Sequence, residues 1–133
     1  MTPAPAAAFF GPEGLRAVLD WELTRIGDPM EDLGWLCVRA WRFGAEAPVG
    51  GLCDRERLFA AYEQASGVAV DPAIVRWWEI FGNFKWAVIR VMQAQTFLNG
   101  VPNVGLAALG RRIAEMELEL LDLMEARTRR SVS

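Results

Sequence analysis

The stretch Val18-Leu19-Asp20-Trp21-Glu22, followed by Gly27-Asp28-Pro29 and then Asp32-Leu33-Gly34-Trp35, decides how this chain folds. Leu15 to Asp20 reads as a strand, apolar at Leu15, Ala17, Val18 and Leu19, with Asp20 at its end. Glu22 to Ile26 is a connector. Asp28-Pro29-Met30-Glu31 then carries a helix start: Asp28 as cap, Pro29 at the first helical position, Glu31 where a capping box wants it. Asp32 falls in the first turn, where a carboxylate interacts favourably with the helix dipole. Two readings of Asp20 follow. It is a strand-end turn residue, or a carboxylate whose backbone is pinned in sheet while its side chain leaves the sheet end. In the second reading it suits a hard cation such as Mg²⁺, which takes one or two carboxylates plus phosphate oxygens and water. Glu22, two residues on, would face the same cleft.

Upstream, Phe9 and Phe10 start a short strand, and Gly11-Pro12-Glu13-Gly14 is a turn, which makes a hairpin with the strand from Leu15. A lone two-stranded hairpin is marginal in water, so it needs helices beneath it or more sheet. Met1 to Ala6 is Pro/Ala-rich, offers no periodic burial and reads as a disordered tail.

Downstream, Leu33, Leu36, Cys37, Ala40 and Trp41 recur at helical spacing, and the helix is expected to end near Phe43-Gly44. After a loop containing Pro48, Gly50 and Gly51, Asp54 caps a second helix with the face Leu58, Phe59, Ala61 and Tyr62, ended by Gly67. Asp71-Pro72 opens a long helix to about Asn99-Gly100. Its Trp77, Trp78, Phe81, Phe84, Trp86, Val88, Ile89 and Met92 lie on more than one side, which predicts burial by several neighbours. Asn103 caps a last helix with Leu106, Leu109, Ile113, Met116, Leu120 and Leu123 at near-heptad spacing, the face of a bundle or a coiled-coil seam. The expected fold is mainly α: a short N-terminal hairpin followed by about four helices, with 131–133 as a tail.

The chain has 133 residues, enough for one domain with a core, and 53% of them are hydrophobic, a high share that is expected when a domain has lost a neighbour. Net charge is −3 and no basic stripe gathers on one face, which argues against nucleic acid. There is no apolar run long enough to cross a membrane and no export signal, and Cys37 and Cys53 are too few for a disulfide framework. Cys37 reads as a buried free thiol in a reducing cytoplasm. Arg39, Arg42 and Arg90 read as solvated helix positions.

Asp20-Trp21-Glu22, four residues, Gly27-Asp28-Pro29, two residues, Asp32-Leu33 resembles the metal-binding segment of the aminoglycoside phosphotransferase-like kinases, small-molecule kinases of choline-kinase type with a protein-kinase-like fold. Gly34 to Gly44 is most similar to the acyl-CoA-dehydrogenase-associated branch. The resemblance implies that residues 7–130 are part of the C-terminal lobe of such a kinase. It implies Asp20 as a ligand of Mg²⁺ bridging ATP phosphates, with Glu22, Asp28 and Asp32 in support. It implies a small-molecule acceptor in the helical part, lined by Trp77, Trp78, Asn83 and Lys85. The family's catalytic loop, His-Gly-Asp, four residues, Asn, would place its Asn near Ala7, its base near Thr2 and its His before Met1. This sequence contains no histidine, no glycine-rich phosphate loop, and Lys85 as its single lysine. The catalytic base is therefore expected upstream, and this chain alone is expected to be inactive. The rival expectation is a non-catalytic helical module, or a pseudokinase-type small-molecule binder, that pairs with a second copy or a partner chain through apolar surface.

Overall fold

The computed structural model describes residues 8–19 and 26–131. The disordered tail expected at 1–6, and Asp20, Trp21 and Glu22, lie outside the described residues. The described chain is mainly helical behind one short hairpin, as expected. It divides into two compact units, Met1–Glu79 and Ile80–Ser133.

In the first unit, β1 (Ala8–Gly11) pairs antiparallel with β2 (Gly14–Val18) through a Pro12-Glu13 turn closed by Gly14 at φ 110°. The register slips between Phe9 and Phe10, a bulge that adds twist to the pair. Arg16 folds back over the turn and pairs with Glu13.

α1 (Met30–Cys37) begins one residue later than expected, with Pro29 at the cap position and Asp28 accepting the Met30 N–H. It is shorter than the pattern predicts. Val38 leaves the helical region at ψ 132°, and a single 3₁₀ turn, Arg39–Arg42, follows before Phe43 and Gly44 turn left-handed at φ 49° and 88°. The break lets Val38 and Trp41 both turn inward, and the Arg42 guanidinium donates to the helix-end carbonyl of buried Cys37 at 3.2 Å. α2 (Arg55–Ser66) starts where Asp54 accepts from the Arg57 N–H at 2.8 Å and stops at Gly67, as expected. Asp71 likewise accepts from the Ala73 N–H at 2.8 Å to open α3 (Pro72–Leu98). Met30, Leu33 and Val75 form the heart of this unit's core, with Leu58, Phe59, Tyr62, Val70 and Trp78 packed against it.

The second unit holds the rest of α3, α4 (Val104–Gly110) and α5 (Ile113–Ser131). Asn103 caps α4 by accepting from the Gly105 N–H at 2.9 Å. The single last helix expected from Asn103 is split in two. Buried Arg90 of α3 donates at 3.4 Å to the Arg112 carbonyl, which also accepts the Glu115 N–H at 3.2 Å, and Gly110 lies so close to Ala94 that a Cβ there would fall 2.7 Å from the alanine methyl. On α5, Met116 and Leu123 are buried and Leu120 half-buried, the inward face that a bundle requires.

Candidate functional site

The site is built where α1 starts beside the first turns of α3. Asp28 is the joint. One carboxylate oxygen accepts the Met30 N–H at 2.9 Å, and the other accepts the indole N–H of Trp78 at 3.0 Å, fifty residues away along the chain. The first bond satisfies a helix-end donor. The second ties the chain that follows the Asp20 segment to α3. Close approach makes it possible: Gly34 of α1 has no side chain, and a Cβ there would sit 2.5 Å from the Cβ of Trp78 and 2.8 Å from the Glu79 backbone nitrogen.

Above this joint lies a shallow, open recess of ≈ 440 Å³, lined by Asp28, Ala73, Ile74, Trp77 and Trp78. The two indoles meet edge to face, 4.7 Å between ring centroids at 85°. The lining is apolar except at the carboxylate, so a ligand here would be held by aromatic faces with one polar contact.

Beneath the recess is a buried ion cluster. Glu79 is 1% exposed, and its carboxylate receives Arg55 through two bonds, Nη2 at 2.6 Å and Nε at 3.1 Å, while Arg42 approaches at 3.4 Å. The forked Arg55 contact is the geometry in which guanidinium and carboxylate bind best. Cys37 is fully buried against this cluster, and burial first, then the negative charge of Glu79, pushes its thiol pKa up to about 12. The thiol is therefore neutral and inert.

Of the residues singled out from sequence, Asp28, Trp77 and Trp78 are brought together. Asp32 is exposed on the first turn of α1. Asn83 is fully buried and Lys85 half-buried, both in the second unit. Two expectations are corrected. Arg42 and Arg90 are not solvated: Arg42 pairs with Glu79, and Arg90, 3% exposed, stacks over Trp86 at 5.6 Å. Trp77, Phe81, Phe84, Val88 and Met92, expected to be buried by several neighbours, are exposed: Trp77 lines the open recess of the first unit, and in the second unit α3 turns its polar side inward. Glu79 was not legible as a site residue. Its one signal is an acid set directly between Trp78 and Ile80.

Among the described residues no group of three or more His, Cys, Asp or Glu side chains is arranged to hold a metal ion. No helix among the described residues is long and apolar enough to cross a membrane.

No curated protein and no solved structure matches the chain. The model of the phosphotransferase enzyme family matches residues 8–78, more than half of the chain and nearly the whole of the first unit. That stretch contains the hairpin, the Asp20 segment, the Asp28 joint and both tryptophans of the recess. The chain thus belongs to the phosphotransferase enzyme family, of aminoglycoside phosphotransferase type.

Proposed function

We propose that this chain is the C-terminal helical lobe of an ATP- and Mg²⁺-dependent phosphotransferase acting on the hydroxyl of a small molecule. The observation that carries the reading is the family match across residues 8–78; within that stretch of sequence Asp20 is the carboxylate assigned to the metal. Magnesium, when bound, would neutralise charge on the transferring phosphates. Since such ions are held by one or two carboxylates together with phosphates and water, Asp20 and Glu22, two residues on in sequence, would be a sufficient protein share.

The other residues position. Asp28 fixes the start of α1 and the indole of Trp78 with one carboxylate, and so anchors the chain eight residues beyond Asp20. Trp77 and Trp78 offer the acceptor an apolar surface. The similarity of Gly34 to Gly44 supports an acceptor of the acyl-CoA-dehydrogenase-associated branch. No residue in this sequence supplies the family's histidine-containing catalytic loop or its phosphate-holding loop, so these residues by themselves would transfer no phosphoryl group. The two free cysteines, one of them buried, support a reducing, cytoplasmic setting.

Thermal unfolding with and without magnesium ATP tests the reading. The nucleotide complex should raise the unfolding midpoint, since a ligand that binds only the folded state stabilises it. Asp20→Asn should abolish the shift, and neither protein should turn over ATP. Absence of a shift, or a shift that survives Asp20→Asn, would remove Asp20 from the metal-binding role.

A further inference from the structure

Within the second unit α3 is inside out. Asn83 and Arg90 are buried, while Phe84, Val88, Val91, Met92 and Leu98 are between 42 and 73% exposed, and Phe81 is 39% exposed. The exposed positions are regular. Phe81, Phe84, Val88, Val91, Gln95 and Leu98 are separated by three, four, three, four and three residues, the seven-residue repeat of a helix–helix seam. From Phe81 to Leu98 no exposed residue is charged. The two polar residues on the face have partners within the helix: Gln95 donates to Asn99 Oδ1 and Thr96 to the Met92 carbonyl, each at 3.0 Å. Covering Thr96 would strand no donor.

We propose that this face is a dimer seam, covered by α3 of a second copy of the chain. A contiguous apolar face of this kind marks an interaction site. The repeat specifies another helix as the occupant, since a 3,4-spaced row inserts into the holes of a helix with the same row. The absence of charge permits a copy of itself. In a two-fold pair each residue meets residues of the same face, so a charged seam would set like charges against each other and a neutral one does not. The area suffices. The six apolar side chains would bring about 600 Å² per copy, roughly 1,200 Å² in total, which reaches the lower limit of specific protein interfaces. The proposal is independent of the phosphotransferase reading.

Sedimentation velocity of the whole chain between about 1 and about 100 µM tests it. A monomer–dimer equilibrium is expected. Val88→Glu, at the centre of the row, should weaken dimerisation by about 100-fold, because a charge would be buried against its own copy. Leu121→Glu, at a more exposed apolar position on α5, should leave the dimer intact, and circular dichroism should show unchanged helix content in both variants. A Val88→Cys variant in a Cys53→Ser background provides a second readout and should cross-link as a dimer under mild oxidation. A monomer throughout, a dimer indifferent to Val88→Glu, open-ended growth beyond two copies, or failure to cross-link would each overturn the proposal.

Discussion

At the residue scale, Gly34 and Asp28 do more to shape the first unit than any large side chain, and both act through closeness. Asp28 reaches Trp78 only because α1 and α3 touch backbone to backbone at Gly34. A methyl at position 34 has nowhere to go. It would meet the Cβ of Trp78 and backbone atoms of Trp78 and Glu79, none of which is the free end of a flexible side chain. Gly34→Ala should therefore destabilise the protein by about 2 kcal/mol in urea unfolding, despite alanine's better helix propensity, because overpacking against backbone costs more than propensity returns. Loss of the Asp28–Trp78 bond should accompany it, read as a red shift in tryptophan emission. A Gly34→Ala protein of unchanged or greater stability would show that the helices are farther apart than described.

At the scale of elements, what a cap decides is local, and what an ion pair decides is not. Asp54, Asp71 and Asn103 each accept an N–H from two or three residues further on, so all three helix starts were readable from neighbouring residues. The end of α1 was not, because it depends on Arg42 folding back onto Cys37 while also reaching Glu79, thirty-seven residues on. The same holds for α3: its apolar spacing was visible, but the side left uncovered was not, since that depends on which polar residues its neighbours bury. The Glu79 cluster joins α1's end, α2's start and α3 at one carboxylate. Glu79→Ala should cost about 3 kcal/mol, because it leaves Arg42 and Arg55 without their common buried partner. Arg55→Ala should cost clearly less, since Arg55 is one-third exposed and Arg42 would still hold the carboxylate. Equal losses from the two substitutions, by chemical denaturation, would show that the cluster does not share its charge in this way.

For the whole molecule, the family match ends at residue 78 and the first compact unit at Glu79, so the segment that carries the kinase signature is also the segment with its own core. The element order there followed from the sequence, but the bond that brings Trp78 to Asp28 was not legible in it, since it joins residues fifty apart, and Asp20 lies outside the described residues. The core of that unit makes the stability of the protein sensitive to alkaline pH through one group. Cys37 is held neutral to about pH 12 in the folded protein, against an ordinary value of 9.0, chiefly by burial. A group whose pKa is raised on folding stabilises the folded state fully below its unfolded value, and that contribution is lost as pH climbs from 9.0 through about 12. In this window the unfolded chain releases the thiol proton and the folded chain keeps it, so unfolding is drawn forward. The measurement is a difference between wild type and Cys37→Ala, which isolates the contribution of this thiol. Wild type should lose about 2 kcal/mol relative to the variant between neutral pH and about pH 10.5. A stability difference that stays constant across that range would mean that Cys37 meets solvent in the folded state, and the close packing of α1's end against Glu79 would have to be abandoned.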